Sequence, residues 1–476
     1  MLFNSFLYIL LFLPVVAVAY AALQKYRGRQ WAQGLLLAAG LFFYYWATKP
    51  SYVLLLAGSI VFNWQVARMM NSRQGWRRKL LLQLGLVVDI AVLCSFKYFN
   101  LFFATLVSYG APKFALPDWT FPLGISFYTL TQVMYLVDTY QGMNQPSSLF
   151  DHATVVSLFP YISSGPLVRA RSIVKQLHQY TFSESRLELA CRGFYLFTLG
   201  LAKKMLLADS FAKLADAGFR SPRGYTMAEA WAFSLAYTFQ IYFDFSGYSD
   251  MAVGSAWMLG IDIPQNFNAP LKAKSISEFW QRWHISLSNF ITSYLYTPIL
   301  RSMGKATLES SAIAIFIAMG IAGLWHGPAW TYLVFGLMHG SGLAINQAWK
   351  KNKKKMPDWL GWLLTLSLVN AAFIVFRSPN LDFAENMLIA LLPHGDWAAN
   401  LPSLVALQSA FPITPVFYER LIALGILVAF FFKTSTEMAQ SFERTRFMTL
   451  ATAALVWLAF FFMNAAQPKG FVYFAF

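Results

Sequence analysis

Two histidines lie in the apolar stretch GLWHGPAWTYLVFGLMHG, residues 323–340: His326, directly before a Gly-Pro break, and His339. An imidazole can stay neutral near pH 7 and accept a proton from a hydroxyl, which is general-base work. At membrane depth such a group costs a few kcal/mol, so it is expected to face a protein interior or a polar path. His326 stands where one apolar run, 311–325, ends; the next is expected to begin at Pro328, a residue suited to the first turn of a helix. His339 follows 13 residues later, about 20 Å away on a continuous helix. It could serve the same atom only if the break folds the chain back, and otherwise reads as structural.

Two further stretches hold ionisable groups in apolar surroundings. QIYFDFSGYSDMAVG (240–254) sets Asp244 and Asp250 among aromatics and glycines, and SEFWQRWHISLSNF (277–290) sets Arg282 and His284 beside Trp280 and Trp283. Asp244 reads first as a structural carboxylate that pairs with an arginine or caps a broken helix. His284 is open between lining a site and packing. No spacing of metal-ligating residues stands out, so no metal is expected. Cys94 and Cys191, each inside an apolar run, read as small core residues rather than a disulfide.

The elements that must position these groups follow from composition. The 476 residues are 57% hydrophobic and 12% charged, where a soluble chain carries about twice that charged share. Runs such as FNSFLYILLFLPVVAVAYAAL (3–23) and LLLQLGLVVDIAVLCSFKYFNLFF (80–103) reach the length that crosses a hydrocarbon core. The fold class is all-α, a polytopic integral membrane protein. The first run has no basic residue before it and a basic cluster after it, the reverse of a secretory signal, so it reads as a retained span with its N-terminus outside.

The net charge of +16 sits in short clusters at Lys25–Arg29, Arg68–Lys79, Arg169–Arg186, Lys350–Lys355 and Lys433–Arg446. That is the pattern of cytoplasmic loops facing anionic lipid, not of a nucleic-acid surface. Segments 104–120, 377–414 and 466–476 are placed outside, each with a single Lys or Arg. Spans at about 31–47 and 50–67, 359–376 and 415–432, and 447–464 keep this parity and put both termini outside. In 190–347 the apolar runs are interrupted by Gly, Pro and Asn, and re-entrant or broken helices are expected there, tolerated where they are buried or line a cavity. The expectation is roughly 11 spans plus two or three partial ones, in one domain covering 1–476.

SISEFWQRWHISLS followed by GLWHGPAWTYLVFGLMHG resembles the membrane-bound O-acyltransferase family, in its bacterial branch typified by the alginate O-acetyltransferase membrane subunit. The resemblance extends to FPLGISFYTLTQVMYLVD (121–138), FPYISSGPLVR (159–169) and YFDFSGYSDMAVG through PQNFNAPLKAKSISEFW, and covers roughly 120–345. It implies a helical fold around a central tunnel open to both sides of the membrane. It also implies that His326 is the catalytic histidine and that His284 holds the second tunnel-lining position, with Trp325, Trp283, Asp244 and Arg282 as lining or structural support.

The implied reaction takes an acyl group from a cytoplasmic thioester, most simply acetyl-CoA, with no bound cofactor, to a hydroxyl outside. The acceptor would be an extracytoplasmic polysaccharide of the alginate or cellulose kind. The C-terminal tail, 467–476, ends in FVYFAF. From composition this aromatic tail reads as an interface anchor, yet it resembles the terminal motif of envelope-acylation systems in which a tyrosine oxygen carries the acyl group. Tyr473 is then an acyl-carrier candidate, handing on to an esterase-like partner in the periplasm or anchored to the membrane. Peptidoglycan O-acetylation and teichoic-acid-type D-alanyl transfer are the rival acceptors. A transporter or flippase is the remote rival, disfavoured by the Trp-His pairs and the lack of an inverted repeat. One departure concerns the loop near the tunnel mouth: LYTPILRSMGK (295–305) lacks the Gly-Gly-Asn-Arg of the alginate type, and SNFITSYLY lacks its Arg-Asp. Donor or partner recognition is the property this loop would alter.

Overall fold

The computed structural model describes residues 2–110, 121–179, 184–220, 225–352, 355–393, 415–465 and 470–472. Among these residues every regular element is helical. Six helices are long and apolar enough to cross a membrane: Leu7–Tyr26, Tyr52–Asn71, Gly75–Lys97, Leu308–His326, Asp358–Arg377 and Arg446–Ala465. Others, such as Arg29–Ala47, Ile125–Tyr140 and Trp330–Lys351, fall outside that set by length or composition. The chain is a multi-pass membrane protein.

It divides into two compact units. One is Met1–Leu199, Tyr248–Gln265 and Met438–Ala453; the other is Gly200–Gly247, Asn266–Glu437 and Ala454–Phe476. In the first unit the outer faces are apolar, with Leu10, Val18, Leu54 and Val87 all more than half exposed, as a surface that meets lipid tails requires. Polar groups turn inward and pair: within the spans Asn63 donates to Asp89 (2.8 Å), because hydrocarbon offers no water to satisfy them, and on the short helix Leu149–Ser157, outside the spans, Asp151 accepts from Gln33 (2.9 Å). Cys94 corrects an expectation. It lies on the exposed face of Gly75–Lys97 rather than in a core, since an apolar run reads alike whether its neighbour is protein or lipid. The run 80–103 is likewise two helices, Gly75–Lys97 and Phe99–Ser108, parted at Tyr98.

The second unit holds most of the residues singled out above. Its central feature is an antiparallel hairpin of Leu308–His326 and Trp330–Lys351. The expected break at Gly327–Pro328 is there, but the second helix starts at Trp330, two residues later than Pro328. The hairpin closes tightly because Gly323 and Gly336 meet: a Cβ on Gly323 would come within 2.3 Å of the Tyr332 carbonyl, and one on Gly336 within 2.2 Å of that of Met319. Other irregularities are π-helical turns at Lys203–Ala208 and Ile291–Tyr296 and a bend at Trp283–His284. Met227–Met258, by contrast, is one unbroken helix of 32 residues. Its Gly247 marks a close approach, where a Cβ would sit 2.7 Å from the Gly200 carbonyl; small residues let membrane helices touch backbone to backbone.

Candidate functional site

His326 is the last residue of its helix; Gly327 is extended (φ −169, ψ 162) and ends the helical run. The imidazole lies among aromatic rings, with Trp325, Phe376 and Phe335 centroids at 5.0, 5.4 and 5.8 Å, and the residue keeps 5% exposure. The hairpin folds the chain back and brings Phe335 of the second helix to His326, and the same ring meets His339, one turn further along that helix, edge-on at 4.7 Å. His339 is fully buried, stacked on Phe279 at 6.0 Å, and its Nδ1 accepts a hydrogen bond from the Trp280 indole N–H at 3.3 Å. That donor assigns the tautomer: a neutral His339 carries its proton on Nε2.

His284 is reached through the same aromatic layer. Phe373 packs against Phe335 (6.4 Å) and Trp283 (5.2 Å); Trp283 meets Phe245 (6.3 Å), and Phe245 meets His284 edge-on at 4.7 Å. The His284 backbone is left-handed (φ 44, ψ 53), a conformation that it shares with only Ala269 among the described non-glycine residues. Such strain persists where its surroundings over-determine it, and it clusters at functional sites. Here Asn266 does the holding: its carbonyl accepts the Ile285 N–H (3.0 Å) and its side-chain oxygen accepts that of Ser286 (3.1 Å), while Asn268 N–H donates to the Arg282 carbonyl (2.9 Å). Arg282 turns outward to Glu278 (2.8 Å) and to the Asn268 carbonyl (3.2 Å). Among the described residues neither ring nitrogen of His284 has a hydrogen-bond partner, though the residue is only 1% exposed. A buried imidazole with both nitrogens unused is uncommon in packing and fits a group that meets substrate.

Asp244 pairs with a lysine, not with the arginine expected, and it caps no broken helix. Lys204 Nζ, itself buried, approaches Asp244 Oδ1 at 2.6 Å and Asp209 Oδ1 at 2.8 Å. The other Asp244 oxygen accepts the backbone N–H of Val472 at 2.8 Å, and the ring of Phe471, 4% exposed, packs on Phe245 at 5.3 Å. Residues 470–472 therefore dock on protein beside the ring that touches His284. Tyr473 lies outside the described residues; it follows Val472 by one peptide bond. Lys204 and Asn266 were not singled out from sequence. Their signals were present all the same, as a lysine pair inside the apolar GLAKKMLLADSF and an asparagine in the PQNFNAP that precedes the Trp-His bend.

A cavity of about 230 Å³ opens beside Trp280, lined also by Gln281, Ser288, Thr292, Tyr296 and Met319. It reaches the π-helical turn Ile291–Tyr296 in the loop that departs from the alginate type; His326 and His284 do not line it.

Residues 85–377 match MBOAT, the membrane-bound O-acyltransferase family. The chain is 34% identical to a peptidoglycan O-acetyltransferase of Helicobacter pylori, over 100% of this chain and 98% of that protein. It is 37% identical to a probable alginate O-acetylase of Pseudomonas aeruginosa, over 83% of this chain and 76% of that protein. It is 29% identical to a teichoic acid D-alanyltransferase of Streptococcus thermophilus, over 53% of this chain and 68% of that protein. With the Trp-His-Gly hairpin and the strained Trp-His bend built into a single aromatic layer, and with the family match running from residue 85 to residue 377, the chain belongs to the membrane-bound O-acyltransferases and is an O-acyltransferase.

Proposed function

We propose that this enzyme O-acetylates an extracytoplasmic polysaccharide from cytoplasmic acetyl-CoA, with Tyr473 as the covalent carrier between the two. His326 takes the phenol proton as the tyrosine oxygen attacks the thioester carbonyl. The carbon–sulfur bond breaks, and the proton passes to the departing thiolate, leaving acetyl-tyrosine and free coenzyme A. Outside, an esterase-like partner passes the acetyl group to a glycan hydroxyl and the tyrosine regains its proton. His284, with its unused ring nitrogens, lines the path of the reacting groups, and a dry passage lets donor and acceptor meet without either crossing whole. The setting is a bacterial cytoplasmic membrane with both termini outside.

The observation that carries this reading is the docking of 470–472 against Asp244 and Phe245, one ring from His284. A tail serving only as an interface anchor would leave Phe471 to the headgroups. One observation favours a second acceptor: the peptidoglycan O-acetyltransferase of Helicobacter pylori matches along nearly its whole length, so a peptidoglycan hydroxyl is the alternative end point of the same chemistry.

Radiolabelled acetyl-CoA supplied to membranes should leave an alkali-labile acetyl group on the wild-type chain and none on Tyr473→Phe or His326→Ala. Wild-type ester content on the glycan in cells carrying His326→Ala would remove that histidine from the reaction. Ester found on muramic acid rather than on a secreted polysaccharide would move the end point to peptidoglycan.

A further inference from the structure

We infer that Lys204 and Asp244 form a clamp that seats the C-terminal segment by its main chain, making them positioning residues for whatever chemistry the tail performs. The inference deepens the carrier reading and rests on it only for its consequence, not for the seat itself.

A buried ion pair is expensive to assemble, because both charges give up water, and it persists when additional hydrogen bonds complete their shells. Here the shells are completed partly by the tail. The ammonium is ion-paired with Asp244 Oδ1 at 2.6 Å and donates hydrogen bonds to Asp209 Oδ1 at 2.8 Å and to the Gly470 carbonyl at 3.4 Å, the weakest of the contacts. Asp244 gives its second oxygen to the Val472 N–H at 2.8 Å. The pair thus holds one acceptor and one donor of the main chain, two residues apart, and leaves the side chain between them, Phe471, to pack on Phe245. Lys204 on the π-helical turn and Asp244 on the long helix are both buried, and Asp209, the first residue of the helix after the turn, is partly exposed; two buried charges facing one short segment are an elaborate arrangement for packing alone. Lys204 and Asp244 each meet the tail backbone as well as each other. A seat that reads main-chain atoms fixes where the chain lies whatever the neighbouring side chains are, and Phe471 supplies the selectivity.

Two consequences follow. Gly470→Ala should be tolerated, since a Cβ there meets nothing within 4 Å and the carbonyl is retained. Removing the clamp should free the tail. Because Lys204→Met alone strands the buried Asp244 and leaves Asp209 without its lysine, the informative variant is the neutral triple Lys204→Met/Asp209→Asn/Asp244→Asn, which keeps the volumes.

The test is digestion of purified full-length protein in detergent with a carboxypeptidase, followed by mass spectrometry of the C-terminus, alongside thermal unfolding. Digestion into residues 472–470 should be slow in wild type and in Gly470→Ala. It should be at least about tenfold faster in the triple variant, as loss of a hydrogen bond to a charged group predicts, with the unfolding midpoint of the remainder held. Acetyl transfer into the chain should then show a raised apparent barrier in kcat with little change in the KM for acetyl-CoA, and Asp244→Glu should recover part of both properties. Equal digestion of a folded triple variant and wild type overturns the clamp. If the triple variant does not fold, Phe471→Ala read by the same digestion decides, and no acceleration there overturns it as well. Accelerated digestion with unchanged transfer keeps the seat and instead removes Tyr473 as carrier, so the two readings fail separately.

Discussion

Gly323 and Gly336 stand face to face across the hairpin, so close that a Cβ on Gly336 would lie 3.0 Å from the Gly323 Cα. Each precedes a histidine by three residues, one helical turn, so the contact that closes the hairpin also sets the spacing of His326 and His339 about Phe335. Gly336→Ala drives its methyl into the Met319 carbonyl, which backbone cannot yield cheaply. The expected cost is about 1–3 kcal/mol of overpacking, seen as a lower unfolding midpoint in detergent, together with loss of acetyl transfer. Gly340→Ala is the control: its nearest atom would be 3.4 Å away, so a small effect is expected. Equal midpoints for the two variants would show that the helices can part without consequence.

The left-handed His284 gives a second prediction. His284→Asn retains a residue type that tolerates this conformation, whereas His284→Val places a β-branched side chain where it is most strained. Both remove the imidazole and should lower transfer by tenfold or more, but only the valine variant should also unfold early, by about 1–2 kcal/mol. Asn266→Ala, which strips the acceptor from the Ser286 N–H, should behave like the valine variant in stability. Wild-type transfer rates in His284→Asn would return this residue to packing.

Much of this architecture was legible because membrane helices announce themselves by length: the spans read at about 31–47, 50–67, 359–376 and 447–464 coincide with Arg29–Ala47, Tyr52–Asn71, Asp358–Arg377 and Arg446–Ala465. The break at Gly327–Pro328 was legible, because proline removes a donor and glycine tolerates the turn, but that the chain folds back there into a hairpin was not. What could not be read depends on partners distant in sequence. Gly247 reads as a possible break, and only the approach of Gly200 shows that it is a packing notch. Asp244 finds a lysine 40 positions away, and no local pattern encodes that choice. Whether Cys94 faces lipid or protein has no signature in hydropathy at all.

Asp151 gives the pH dependence. Burial pushes its carboxyl up, but hydrogen bonds from Gln33 and Ser148 and the neighbouring His178 together outweigh this and hold it below the ordinary value of 3.8. A depressed folded-state pKa contributes stability that is complete above the unfolded value and lost as pH falls through the folded one. Asp151→Asn should therefore unfold at a lower temperature than wild type at pH 7, and the gap should narrow below about pH 4. A gap that widens on acidification would reverse the assigned sign.

His339 separates proximity from chemistry. Like His326 it touches Phe335, yet the Trp280 indole occupies its Nδ1 and the residue is fully enclosed. If enclosure decides, its work is to fill and orient the layer. His339→Gln then keeps an acceptor for the indole and should lower transfer less than tenfold, with a stability loss of about 1–2 kcal/mol from imperfect packing. His326→Ala should abolish transfer with a smaller change in midpoint, because the residue ends its helix and keeps 5% exposure where His339 is fully enclosed. Trp280→Phe discriminates further, since it removes the donor and leaves a buried acceptor unsatisfied while altering none of the three rings that surround His326. Transfer lost in Trp280→Phe with the midpoint unchanged would place His339 in the chemistry, its tautomer set by the indole, and the two histidines would have to be treated as one acid–base unit.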